Sequence, residues 1–159
     1  MKARKIKGLD PAGPLDANAR RIVAVRAGEV LELAGRAQDP CEVEALHDLR
    51  IAAKRVRYVL ELVGPACVGP DADAIVKEVK GLQDLLGEIH DCDVQLPGLR
   101  ELARASPEEQ ARGLRSLAIH FATRRAELFE RFYAGWPQLE RAFTSLSHAN
   151  DNGWVEIRA

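Results

Sequence analysis

A short basic stretch near residue 50 has the residue types and the spacing to bind an anion. At about 100° per residue, an α-helix would place its cations within a single arc of roughly 80°, with successive cations about 5.4 Å apart. The members of this basic face are His47, Arg50, Lys54 and Arg57, with Arg55 at its edge. Neighbouring cations repel one another unless an anion lies across them. Since a linear polyanion carries charges at a comparable interval, the spacing predicts a site for such a ligand.

The other interpretation is a solvated face whose cations are neutralised by acids on neighbouring helices. Only Asp48 and Glu61 accompany the cations on this helix, which favours a ligand without removing that alternative. The opposite side of the helix is apolar and is predicted to face the core. It carries Leu49, Ala53, Val56 and Leu60.

Two later segments offer further basic candidates for the same site. A glycine at position 87, inside the next predicted helix, costs about 1 kcal/mol relative to alanine. Such a residue indicates close approach of a ligand or simply of another helix, and the second interpretation is the more ordinary one. The additional candidate side chains are Lys77, Lys80, His90, Arg124 and Arg131.

The elements that must position these residues follow a helical period throughout, and no alternating strand pattern is present. Prolines, glycines and capping-box patterns, such as those at Asp39–Glu42 and Ser106–Glu109, indicate where these helices begin and end. We therefore predict an all-α fold, an antiparallel bundle of four long helices with a short C-terminal helix as a further option. The expected helices span 14–35, 39–63, 70–89 or on to 96, 106–135 and, for the short one, 138–147. Residues 1–13 are expected to be a flexible basic lead-in, 14–147 the bundle and 148–159 a loosely ordered tail.

Composition narrows the function classes. The 23 basic and 24 acidic residues give a net charge of −1, which argues against a protein that coats nucleic acid. Three widely spaced cysteines without a CxxC pair suggest neither a disulfide framework nor a zinc knuckle. No signal peptide or membrane-spanning run is visible, so the expected location is the cytoplasm. No P-loop, GxGxxG, GxSxG or HExxH string occurs, and we predict no cofactor, no metal and no catalysis.

Two stretches resemble the signatures of the CHAD family, whose name refers to a histidine-bearing α-helical domain. Residues 47–58 resemble its first motif, a histidine, an arginine three residues later and then a basic cluster. Residues 82–94 resemble its second motif, a leucine–glycine turn followed by an Asp-x-Asp-Val run. His90 stands where the family more often has arginine, which puts the role of this position in question.

The resemblance implies a helical bundle that binds inorganic polyphosphate without catalysis. It also implies an association with polyphosphate granules, with which family members are found. It implies binding roles for the candidates His47, Arg50, Lys54, Arg55, Arg57, Lys77 and Lys80. Family members usually contain two such bundles in one chain, with basic residues of both lining a channel. Because this chain has one copy of each motif, either one bundle suffices or two chains pair as a homodimer.

Three alternatives remain open. The His47–Asp48 and His90–Asp91 pairs are compatible with a metal-dependent phosphohydrolase of the HD type. Against it, adjacent residues point about 100° apart on a helix, and nearby cations repel a divalent metal. A nucleic-acid-binding module is a second alternative, disfavoured by the absence of stacking aromatics near the basic face. The third is a structural bundle without a ligand.

Overall fold

The computed structural model describes residues 2–148, and most of them lie in four long α-helices. No strand occurs within these residues, so the predicted all-α bundle is confirmed. The tail expected from residue 148 falls almost wholly outside the described residues. The helices are α1 (Leu15–Arg36), α2 (Val43–Cys67), α3 (Ala72–Ala105) and α4 (Glu108–Ser147), with a single 3₁₀ turn at Gly69–Asp71.

The four helices close into a ring, since each packs on its neighbours in sequence and α4 also packs on α1. The core between them is apolar, and Val30, Leu49, Leu86 and Phe143 supply one fully buried side chain from each helix. The apolar side predicted for α2 is buried as expected. The helical spacing of Leu15, Ala19, Ile22, Val30 and Leu33 predicts one apolar stripe on α1, and this prediction is wrong at its first position, because Leu15 is 65% exposed.

Three helices continue through prolines that were predicted to end them. A proline inside a helix removes one hydrogen bond and crowds the preceding turn, at a cost of about 3 kcal/mol. Here α2, α3 and α4 pass through Pro65, Pro97 and Pro137. Burial beside the proline offsets this cost, since Trp136 is 7% exposed. The separate helix expected at 138–147 is therefore the last part of α4.

Neither predicted capping box forms. The Asp39 carboxylate accepts a hydrogen bond from the Cys41 amide at 2.8 Å, which closes a turn before α2 rather than the helix itself. The Ser106 hydroxyl donates backward to the Leu102 carbonyl at 2.8 Å. Each side chain forms its hydrogen bond within the segment that precedes the helix and does not cap the helix. For this reason α2 and α4 begin later than predicted.

The lead-in at residues 2–13 forms no helix or strand but lies along α1. The buried carboxylate of Glu29 accepts the Arg4 amide at 2.5 Å and pairs with Arg26 at 2.7 Å. Arg21 donates to the Gly8 carbonyl at 2.7 Å. Gly8 has a φ of 71°, a left-handed conformation that favours glycine, and a Cβ there would displace the Arg21 guanidinium from this crossing.

The two longer helices, α3 and α4, extend beyond the ends of the two shorter helices, α1 and α2. Arg125 on α4 donates to the Pro40 carbonyl at 2.7 Å, which marks the level of the α1–α2 loop. Beyond it, residues 94–124 continue as a two-helix projection that we call the arm. Its α3 part extends roughly 18 Å at 1.5 Å per residue. Of the helices in residues 2–148, none combines the length and apolar character needed to cross a membrane.

Candidate anion-binding site

The basic face of α2 borders α3, which runs antiparallel to it. The imidazole rings of His47 and His90 lie 4.7 Å apart, centroid to centroid. Three residues further along α2, Arg50 reaches Gly87, three residues earlier on α3. This constant register places Lys54 opposite Gln83. We call the space between the two rows the α2–α3 groove, bordered by His47, Arg50, Lys54 and Arg57 on α2 and by Lys80, Gln83, Gly87 and His90 on α3.

The middle of the groove carries uncompensated positive charge. Among residues 2–148, neither Arg50 nor Lys54 forms an ion pair with a carboxylate. A Cβ built on Gly87 would meet only the Arg50 Nε atom, at 3.9 Å, which is an ordinary contact. Helix packing therefore does not demand glycine there. The bare backbone leaves one side of the guanidinium uncovered.

The far end of the groove is neutralised from within. The Glu61 carboxylate lies 3.3 Å from the Lys80 ammonium and 3.7 Å from Arg57 Nε. Arg57 also lies over the Tyr58 ring, with 4.7 Å between the guanidinium carbon and the ring centroid. An anion reaching this end must compete with Glu61.

Polar atoms without partners lie buried along the same rows. Within the described residues, His47 Nδ1, Gln83 Oε1 and Arg57 Nε are enclosed and have no hydrogen-bond partner. Buried polar atoms in folded proteins are nearly always hydrogen-bonded, so His47 Nδ1 and Gln83 Oε1 are candidates to bond a ligand or water, whereas Arg57 Nε faces Glu61 at 3.7 Å. Gln83 is not among the site residues predicted from the sequence. The usable signal was its spacing, three residues after Lys80 and seven before His90, on one side of α3.

Two of the candidates from the sequence lie on α2 and α3 but outside this groove. Arg55 is half-buried and stands about 140° around α2 from Arg50, five residues on. Lys77 is exposed on α3, about 60° from Lys80. Lys77 is close enough to contribute to the general positive field, whereas Arg55 points elsewhere.

The two candidates on α4 lie at its seam with α3. Arg124 forms an ion pair with Glu88 at 2.5 Å, and this hydrogen bond raises the pKa of the guanidinium. Arg131 lines a cleft of about 220 Å³ with Gly81 and Gln138. The structure therefore brings six of the ten candidates together: His47, Arg50, Lys54, Arg57, Lys80 and His90.

The second aspartate of the Asp-x-Asp run has a structural partner that the sequence does not predict. Asp93 Oδ1 accepts a hydrogen bond from Arg125 Nε at 2.5 Å, and their side chains are 9% and 14% exposed. The same guanidinium bonds the Pro40 carbonyl. One arginine thus ties α3, α4 and the α1–α2 loop together, at the level of the His47–His90 pair.

The other titratable candidates give no metal cluster. Nowhere in residues 2–148 do three or more His, Cys, Asp or Glu side chains gather closely enough to hold a metal ion. Cys41 is exposed, whereas Cys67 and Cys92 are buried as free thiols. Burial is the main cause that raises the pKa of both buried thiols.

Comparison with known proteins places this architecture in a family. No curated protein and no solved structure matches the chain. A family model described as the CHAD domain matches residues 3–100, which is more than half of the 159 residues. The matched span contains both sequence motifs and every residue of the α2–α3 groove. The chain belongs to the CHAD domain family.

Proposed function

We propose that this protein binds inorganic polyphosphate in the α2–α3 groove and does not act on it chemically. The observation that carries the proposal is the pair Arg50 and Lys54, adjacent cations without an ion pair in the described residues. Unpaired neighbouring cations destabilise a helix by mutual repulsion. A polyanion lying across them removes that repulsion, and family membership supports the same ligand class.

The groove offers the hydrogen-bonding groups that phosphate requires. The Arg50 guanidinium presents several donors in a planar fork that suits phosphate oxygens, and Lys54 adds a compact point charge. His47 Nδ1, which has no partner among residues 2–148, is a further donor in its protonated tautomer. A bound polyphosphate that extends toward Lys80 reaches Glu61. Its phosphates then replace the Glu61 carboxylate as the ion-pair partners of Arg57 and Lys80.

A linear inorganic anion suits this groove better than nucleic acid does. Single-stranded nucleic acid is usually held by aromatic rings that stack on its bases. Contrary to the expectation that no aromatic ring lies near the basic face, Tyr58 lies beside it, but Arg57 and Lys54 already lie over this ring at 4.7 and 5.8 Å. Competition between polyphosphate and DNA of equal charge separates these two ligands.

The proposal includes pairing of two chains. Residues 2–148 supply one α2–α3 groove, and a homodimer would present two basic rows to one polyphosphate. We propose that the protein binds polyphosphate in the cytoplasm and, in cells that contain polyphosphate granules, at those granules. Release of phosphate from polyphosphate or nucleotides, with or without added divalent metal, would contradict the non-catalytic part.

The decisive measurement is the affinity for polyphosphate of defined length, by calorimetry at several salt concentrations. We expect affinity to fall steeply with salt, because each phosphate that is neutralised releases counterions. Arg50→Glu combined with Lys54→Glu should weaken binding by at least about 100-fold, since each charge-assisted contact is worth roughly 1.5–3 kcal/mol. Both side chains lie off the apolar side of α2, so circular dichroism should show unchanged helicity.

A matched control changes Arg104 and Arg112, two exposed arginines of the arm, to glutamate. The net charge change equals that of the groove variant, so the general field falls equally while the groove stays intact. We expect only a modest loss of affinity. Equal losses in the two variants would show that the site is misplaced. A helical groove variant that binds as tightly as the parent would refute the proposal.

A further inference from the structure

The arm has its own small core, separate from that of the bundle. The continuous apolar core reaches Cys92 on α3 and begins again at Leu128 on α4. Between these points the two helices meet along a seam of four buried apolar residues, three of which are alanines. They are Leu96, Ala103, Ala111 and Ala118. No layer equivalent to α1 and α2 covers this part of the hairpin within the described residues.

One side of the arm is charged. Arg100, Arg104 and Arg115 border a cleft of about 350 Å³ whose floor includes Ala103 and Ala118. Arg115 is paired with Glu108 at 2.5 Å, and Ile119 closes the same cleft. These residues show which side of each helix faces the cleft.

The opposite side of the arm is apolar. Leu99 and Leu102 lie roughly 140–160° around α3 from Arg104, and Leu114 and Leu117 lie equally far around α4 from Ile119. We call these four residues the leucine side. Leu102 is 53% exposed and Leu117 is 43% exposed.

Between residues 95 and 121 the leucine side carries no charge; at the base of the arm it reaches Arg124, seven residues after Leu117, which is paired with Glu88. Its other members between residues 95 and 114 are Gln95, Ser106 and Gln110, with Gly98 and Gly113 at its edges. The seven acidic and basic residues between positions 95 and 121 all fall on the seam, the cleft side or the back of the hairpin. A Cβ added to Gly98 or Gly113 would meet no atom within 4 Å, so packing within this chain does not require either glycine. Bare backbone at these points permits close approach by another helix.

We propose that the leucine side is the surface through which two copies of this chain pair about a twofold axis. A surface that meets its own copy meets its own charges, so like charges would oppose pairing. An uncharged apolar side avoids this repulsion, whereas the arginine-lined cleft side would incur it. In the dimer, the α3–α4 hairpin of the second copy packs on the arm. The arm then lies in an arrangement of four helices, as α3 and α4 do in the bundle, where α1 and α2 are the other two. The pairing requires no anion; it rests on the homodimer included in the proposed function and specifies the surface that forms it.

The test is sedimentation equilibrium of the full chain without any polyanion, over a wide range of concentration. We expect the mass to rise from the 17.5 kDa of one chain toward twice that value. Leu102→Glu combined with Leu117→Glu places like charges in the interface and should raise the dimer Kd about tenfold or more. Ile119→Glu is the matched control, since this residue is 67% exposed on the cleft side of the same arm, and its dimer should match the parent's.

Three outcomes would overturn the proposal: a parent that stays monomeric at every concentration, a helical glutamate variant that associates as tightly as the parent, or loss of the dimer in Ile119→Glu. If the glutamate variant loses helicity by circular dichroism, Leu102→Gln combined with Leu117→Gln replaces it, and tight association of that variant counts equally against the proposal. Because no polyphosphate is present, the result is independent of whether the groove binds that ligand.

Discussion

The bundle and the arm are built from the same two helices, α3 and α4, yet they differ in what surrounds those helices. In the bundle, α1 and α2 cover them, and large side chains such as Phe143 and Leu86 are fully enclosed. In the arm the seam is mostly alanine, and leucines stand half-exposed. Since stability from burial scales with the apolar area removed from water, the bundle should hold most of the folding free energy.

The two regions also differ in what lies beside their arginine and lysine side chains. In the arm, Arg115 pairs with Glu108 seven residues earlier on its own helix, while Arg100 and Arg104 border a cleft whose floor is alanine. In the groove, Arg50 and Lys54 have no such acid among the described residues, and they face the bare backbone of Gly87 and a second row of polar side chains on α3. Cations facing a second polar row across a groove are a more specific indication of a ligand than the number of basic residues.

The largest effect should come from the bundle core. Phe143→Ala should lower the free energy of unfolding by about 3–5 kcal/mol, because it empties a fully buried aromatic position. Leu117→Ala in the arm should cost no more than about 0.5 kcal/mol at concentrations where the chain is monomeric. Urea denaturation monitored by circular dichroism measures both. A loss in Leu117→Ala as large as that in Phe143→Ala would mean that the arm has a core equal to the bundle's.

The junction between the two regions should be next in sensitivity. Asp93→Ala leaves the enclosed Arg125 guanidinium without its carboxylate, which should cost about 3 kcal/mol. Glu108→Ala breaks the exposed pair with Arg115 and should cost under about 1 kcal/mol. Adding Arg125→Met to Asp93→Ala should recover part of the loss. Equal costs for the two alanine variants would show that the junction pair has no special structural role.

A smaller effect concerns the acid that competes with the ligand. Glu61→Gln removes the carboxylate between Arg57 and Lys80 and should tighten polyphosphate binding about fivefold, since an exposed charge pair near 4 Å is worth about 1 kcal/mol. Glu108→Gln is the control in the arm and should leave affinity unchanged. Calorimetry at one salt concentration compares them. Unchanged affinity in Glu61→Gln would limit the binding site to the middle of the groove.

The smallest effect should appear at alkaline pH. The pKa of Cys67 and of Cys92 is raised by burial, so the folded state favours the neutral thiols. Their contribution to stability is complete below the ordinary thiol pKa of about 8.5 and is lost as pH rises through the raised folded-state pKa. Urea midpoints should therefore decline above that pH, and less so in Cys67→Ala combined with Cys92→Ala. Cys41→Ala, at an exposed position, should decline as the parent does.

Much of the fold could be predicted because the helical period and the composition of α2 leave little choice. Leu49, Val56 and Leu60 recur at helical spacing, and the structure buries all three. The errors concern helix ends. Pro97 and Pro137 are strong local stop signals, but long-range packing between α3 and α4 outweighs a local cost of about 3 kcal/mol.

For the candidate site, spacing along one helix predicted the shared side of His47, Arg50, Lys54 and Arg57. The partners across the groove could not be read with the same certainty, since the register between α2 and α3 depends on the whole interface. The pairing of Asp93 with Arg125 spans 32 residues and has no local signature. The acid beside Lys80 likewise comes from another helix.

The sequence by itself determined the helical period, the apolar and basic sides of α2 and the two family motifs, because these depend only on residue type and on rotation of about 100° per residue. Tertiary structure alone decided which basic side chains share a groove, and it separated Arg124 and Arg131 from them. It also decided that α3 and α4 extend past their prolines to form the arm. The physical reason is that ion pairing, burial and helix ends depend on distances between segments, which the packing of all four helices sets together.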